Sequence, residues 1–248
     1  METQNKYLLL ARRARDEDNA EDAQKYYDIV RTEDPDNAEA KFFYSYYRLF
    51  SGTNGEAVGN YLSMCKGVEN TLKLIVTSND TIEEKKILIR TIFDCIMDLY
   101  NDIYHKAAGD GRTNEVRTAH TKAITTIIET HTNNYGEDEH ILEVTYKFKA
   151  EKLQVASAMY ALGDEIENKY SSNTKLMAIA IDLWKRAIVN HQKTIYIADP
   201  YGKAKRDEEI AKYAAKIQKY DPTYVAPTPK EGFIDKLIKK ITTLIGKK

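Results

Sequence analysis

Residues 6–41, KYLLLARRARDEDNAEDAQKYYDIVRTEDPDNAEAK, constrain the fold more tightly than any other stretch of this chain. Apolar and small residues fall at Tyr7, Leu10, Ala11 and Ala14, then at Ala20, Ala23, Tyr27 and Val30, the three-and-four spacing that lines one face of a helix. A polar break at 16–19, rich in the Asp and Asn that cap helix starts and tolerate turns, separates the two runs. Two helices therefore fold back on a shared apolar seam. Pro35 lacks an N–H and restricts the residue before it, so the second helix ends there and a third begins just beyond.

Composition agrees with a helical chain. Over 248 residues, 42% are hydrophobic and 30% charged, while only 11 Gly and 5 Pro are present, so the chain can bury a core and has few of the breakers that all-β folds use. The length suits one continuous helical body. A net charge of −1 gives no overall field to attract polyanions, which argues against nucleic acid as a partner. The N-terminal apolar run covers only residues 8–11 and precedes its basic residues, which is neither a secretory signal nor a spanning segment. A cytoplasmic location is expected, with Cys65 and Cys95 as two reduced thiols.

The first hairpin resembles a tetratricopeptide repeat. With Gln4 as the first residue of a roughly 34-residue unit, Tyr7 stands at the motif's first aromatic, Leu10 and Ala11 at its Leu-Gly pair, Ala23 at the alanine of its second helix, Tyr27 at the following aromatic and Pro35 at its closing proline. Ala14 departs from the usual Tyr, and Val30 from the usual Ala. A degenerate second unit over 38–66 keeps Tyr44, Ser45, Ala57 and Tyr61 at motif positions and loses the proline. RTEDPDNAEAKFFYSYY, the irregular helical middle and YAAKIQKYDPTYVAP also resemble a family of uncharacterised bacterial proteins in which a zinc ribbon precedes such a region. The ribbon's four cysteines are missing, so no metal role carries over.

Downstream, further helical patterns follow one another. Residues 38–50 are apolar nearly all round; 59–77 read as a helix with an interruption near Gly67; Thr81 and Glu84 form a capping box that opens a helix through Ile103. After the turn AGDGRTN, Val116 to His131 keep helical spacing. A long helix is expected over 137–170 with Gly163 as its weak point, then another from the cap SSN to a stop at Pro200, and a last one over 206–220. The expected fold is all-α, about eight to ten helices, with tetratricopeptide-like hairpins (4–37 and 38–66) continuing into an irregular antiparallel array within a body over 1–224. A Pro/Gly linker at 225–232 leads to a basic amphipathic helix at 233–248.

In tetratricopeptide arrays the first helix of each repeat lines a concave groove. The resemblance therefore points Leu8, Arg12, Arg15, Phe42 and Tyr46 toward a bound protein or peptide, and two guanidiniums suit an acidic or C-terminal segment. The family's carboxylate clamp uses Lys and Asn where Leu8 and Arg12 stand. The competing reading pairs both arginines within the chain, to Asp16, Asp18 or Glu21. At the C-terminal end Phe233, Ile234, Leu237, Ile238, Ile241, Leu244 and Ile245 form one stripe, with Lys236, Lys239 and Lys240 elsewhere on the wheel. Six Lys against Glu231 and Asp235 give residues 230–248 a net charge of +4. This helix is read either as an anchor on the anionic inner face of a membrane or as a cap on the array. His105, His120, His131, His140 and His191 are too scattered to ligate a metal: His120 and His131 share a seam about 16 Å apart. No phosphate-cradling loop or nucleophile elbow is present. The expectation is a non-catalytic, cofactor-free binding scaffold, with a peripheral membrane adaptor second and an enzyme third.

Overall fold

The hairpin forms where the spacing places it. The computed structural model describes residues 2–51, 53–193 and 200–227, and among them are ten α-helices, one 3-10 turn and no strand. Helices α1 (Glu2–Asp16) and α2 (Ala20–Glu33) pack along Ala11, Ala14, Ala23, Tyr27 and Val30, all buried. In the turn Asp18 takes φ 54°, and Asn19 caps α2 by accepting from the Asp22 N–H. After Pro35, Asn37 caps α3 (Ala38–Tyr47) by accepting from the Ala40 N–H, and a 3-10 turn (Arg48–Phe50) ends it.

Helices α4 (Asn54–Thr77) and α5 (Ile82–Gly109) each open on a capping box, Thr53 with Glu56 and Thr81 with Glu84. The interruption expected at Gly67 is absent. A glycine costs a helix about 1 kcal/mol, and α4 outweighs that by burying Tyr61, Leu62, Cys65, Val68, Leu72 and Ile75 on both sides of it. Helix α6 (Thr113–Tyr135) packs against both α4 and α5, whereas α3 and α5 meet only marginally.

The chain divides into two compact units, residues 1–141 and 142–248, with the boundary inside α7 (Glu139–Lys152). Unbroken helical patterning gives no sign of that boundary. The second unit holds α8 (Ala156–Tyr170), α9 (Thr174–Lys193) and α10 (Pro200–Tyr220) around Trp184, Leu183, Ile188, Ile166 and Ile217. Its aromatic centre is a stack of Tyr160 on Tyr213, with centroids 3.6 Å apart and planes within 3°.

Three expectations are corrected here. The helix expected over 137–170 breaks at 153–155, where Val155 is extended and α9 supplies the missing partners: Arg186 donates to the Leu153 carbonyl at 3.4 Å and Asn190 to that of Gln154 at 3.0 Å. Gly163 is no weak point, since a Cβ built there would lie 2.4 Å from Trp184 Nε1, so only glycine lets the indole approach. Pro200 is the first residue of α10, a position where its fixed φ suits the helix and its missing N–H has no partner to lose. Asn173 caps α9 by accepting from the Lys175 and Leu176 N–H groups, as SSN suggests.

Candidate binding groove

Because α4 holds α5 and α6 close while α5 barely meets α3, a gap opens between the α1 and α3 side and the first turns of α5. It is a depression of about 480 Å³. Leu8, Arg12 and Arg15 reach it from α1, Asp34 and Asp36 from the α2–α3 connection, Glu39 from the start of α3, Asp80 from the α4–α5 connection, and Glu84, Ile87 and Leu88 from α5.

One wall is organised by Glu39, which is only 7% exposed. Arg12 Nε donates at 3.0 Å to each of its carboxylate oxygens, and Arg12 Nη2 reaches Oε2 at 2.6 Å. Arg15 Nη1 stands 3.3 Å from Oε1 while its guanidinium lies 5.1 Å from the centre of the Phe43 ring. The Tyr27 hydroxyl donates to the same Oε1 at 2.9 Å. Hydrogen bonding to Glu39 holds the Arg12 guanidinium above its ordinary range, with burial opposing. Burial, and then the charge of Glu39, push the Tyr27 phenol far up, so it stays a neutral donor.

The remaining carboxylates are differently held. Asp34 accepts from the Asp36 N–H and Asp80 from the Ser78 hydroxyl, and among the described residues none of Asp34, Asp36 and Asp80 forms an ion pair. Glu84 is bound into its capping box, whose hydrogen bonds from Thr81 hold it below the usual carboxylate range. Ile87 is 59% exposed, and with Leu8 and Leu88 it gives the depression its apolar part.

Three of the five groove residues expected from the sequence, Leu8, Arg12 and Arg15, are brought together here. The partner of both arginines is Glu39, not Asp18 or Glu21, although Arg15 also touches Asp16 at 3.1 Å. Phe42 is corrected: at 2% exposure it is core, packed edge-on to Phe43 with centroids 5.3 Å apart. Tyr46 lies outside the depression in an aromatic cluster with Tyr47 and Phe50, and burial pushes its phenol up to about 12. The α3 side chains are apolar nearly all round, which is why position in a repeat did not tell core from groove. Asp34, Asp36 and Asp80 were missed because EDPDN reads as turn chemistry and SND as an ordinary loop; Glu39 stands in the first turn of α3, and Ile87 belongs to the apolar spacing of α5 that reads as core, which its exposure corrects.

The histidines serve local contacts. His120 Nδ1 lies 2.8 Å from the Tyr61 hydroxyl, His131 Nδ1 lies 2.9 Å from the Gly136 carbonyl, and His140 pairs with Asp94 at 2.7 Å. His191 sits 3.4 Å from Glu209, and His105 is edge-on to Tyr104. Among the described residues no group of three or more His, Cys, Asp or Glu could hold a metal ion. Burial pushes both the Cys65 and Cys95 thiols up to about 12, so neither supplies a ready thiolate. No described helix is long and apolar enough to cross a membrane. Phe233, Ile234, Lys236, Leu237, Ile238, Lys239, Lys240, Ile241, Leu244 and Ile245, expected to bind a membrane or partner helix, lie outside the described residues. Comparison with known proteins gives no match to a family model, a curated protein or a solved structure.

Proposed function

We propose that this chain is a non-catalytic binding scaffold, tetratricopeptide-like in its first two hairpins, that holds a segment of a protein or peptide between α1, α3 and α5. The observation that carries this reading is the concave gap itself, with Ile87 exposed on one wall and Leu8 half-buried on the other. An extended segment entering it would cover apolar surface that water now wets. Glu39 is engaged in joining α1 to α3 and to Tyr27, which is the work of a structural carboxylate.

Panning a phage-displayed random peptide library on the full chain tests this. Enriched peptides should bind the wild-type chain and lose binding to a Leu8→Asp, Ile87→Asp variant that melts at the same temperature. Peptides that bind both proteins alike, or no enrichment, would refute the groove. A second reading, a peripheral membrane adaptor, rests on the +4 charge of residues 230–248 and the apolar stripe beside it. It requires that the full chain sediment with acidic vesicles and that removing residues 233–248 abolish this.

A further inference from the structure

Resting on the groove reading, we propose that the occupant is a cationic segment, basic residues flanking an apolar side chain, in place of the acidic or C-terminal peptide that two arginines suggest on their own. Five carboxylates, Asp34, Asp36, Glu39, Asp80 and Glu84, face the depression against Arg12 and Arg15, a net charge of −3.

The two cations are already engaged. Arg12 gives Glu39 three short contacts and Arg15 a fourth. An incoming carboxylate that took either guanidinium would leave Glu39 buried with fewer donors, and removing the partner of a buried charge is strongly unfavourable. An acidic ligand therefore meets guanidiniums whose charge Glu39 already offsets, and must share them with Glu39 or displace it. A cationic ligand breaks nothing.

The acids also stand on more than one wall. Asp34 and Asp36 belong to the α2–α3 connection and Asp80 to the α4–α5 connection. Among the described residues no three of them converge on a point that could hold a metal ion. Leu8, Ile87 and Leu88 supply the apolar contact between them. Charge complementarity at such a surface mainly sets specificity and association rate, while the apolar anchor supplies residence.

Fluorescein-labelled hexapeptides alternating lysine with leucine, glutamate with leucine, and lysine with glycine test this by anisotropy against the full chain. The lysine–leucine peptide should bind best, and added salt should weaken it. The variant Asp34→Asn, Asp36→Asn, Asp80→Asn keeps the acceptor oxygens used by the Asp36 N–H and the Ser78 hydroxyl, so its melting temperature should hold while affinity falls on the order of ten-fold. Ile87→Ser should weaken the lysine–leucine peptide several-fold and leave the lysine–glycine one unchanged. A glutamate–leucine peptide that binds as tightly, and is lost in Ile87→Ser, would overturn the polarity and leave the groove reading standing. Lysine–leucine binding that neither variant alters would place the site elsewhere and overturn both, and no binding by any lysine peptide would overturn the cationic assignment.

Discussion

The bond from Tyr27 to Glu39 can be isolated by a double-mutant cycle. Tyr27 is fully buried, and its hydroxyl donates to Glu39 Oε1 at 2.9 Å. Tyr27→Phe removes one donor from a carboxylate that keeps both arginines, a loss of about 1 kcal/mol. Glu39→Ala does more. It takes from the Tyr27 hydroxyl its acceptor, leaving only the Arg15 Nη1 donor at 3.4 Å, which costs about 1–3 kcal/mol. The released guanidiniums regain solvent, since the Arg12 and Arg15 side chains are 47% and 29% exposed, and each contributes about 0.2–1 kcal/mol. Glu39→Ala should therefore cost about 3 kcal/mol in all.

In the double variant no buried hydroxyl is left without an acceptor, so its cost should be about 2 kcal/mol, below that of Glu39→Ala alone. The coupling is then about 2 kcal/mol. Urea denaturation followed by far-UV circular dichroism at neutral pH measures all four proteins, compared at equal dependence on urea. Glu39→Gln, which keeps an acceptor for Tyr27 and loses the charge, should fall between Glu39→Ala and wild type. Costs that add to within about 0.5 kcal/mol would show that the hydroxyl is not held by this carboxylate and refute the reasoning.

Gly163→Ala places a methyl 2.4 Å from the indole nitrogen of Trp184, a rigid and fully buried ring; overpacking of about 1–3 kcal/mol should exceed the helix-propensity gain of about 1 kcal/mol. A lower melting temperature with altered emission from this single tryptophan is the expected result, and a more stable protein would show that the site has room. Asp138 opposes its own burial with a hydrogen bond from Arg90 at 2.5 Å and another from the Ile141 N–H, which together hold its carboxyl below the usual range. A depressed carboxylate stabilises the fold above its unfolded pKa, about 3.9, and loses that contribution as pH falls through the folded value. Asp138→Asn should therefore destabilise the first unit at neutral pH and lie closer to wild type at acid pH; a gap that stays constant across that window would count against the pair.

What the sequence revealed was local chemistry. The α1–α2 hairpin, the box at Thr81 and Glu84 and the Asn173 cap each depend on residues a few positions apart, where spacing carries the physical reason. What stayed hidden depends on residues far apart in the chain. The break at 153–155 is held by Arg186 and Asn190 of α9, more than thirty residues on. Gly163 looked like a flaw in α8 because nothing nearby announces that Trp184 lies over it. Pro200 was read as an end because proline at a first helical position and proline after a last one look alike without a neighbour to decide between them. Arg12 and Arg15 were correctly placed on one face of α1. The carboxylate between them was not found, because an acid in the first turn of α3 is already explained by the helix dipole.

Glu39 also bears on how the groove could bind. On one wall it ties α1, α2 and α3 together through Arg12, Tyr27 and its own backbone. On the other wall Lys85 donates to the carbonyls of Val76 and Ser78 at 3.0 and 2.7 Å, which closes the end of α4 and fixes the connection that carries Asp80. Both rims thus rest on charged hydrogen bonds to main chain or buried side chain, the stronger kind. A groove fixed on both sides before its ligand arrives loses little conformational freedom on binding, so a modest set of contacts to Ile87, Leu8 and the three aspartates could suffice for a specific complex. The same argument makes Lys85→Met a probe of preorganisation. It frees the two carbonyls without touching the lining, so it should weaken peptide binding while leaving its preference for lysine over glutamate intact; a change in that preference would mean that Lys85 acts by its charge, and unaltered affinity that the connection needs no such tie.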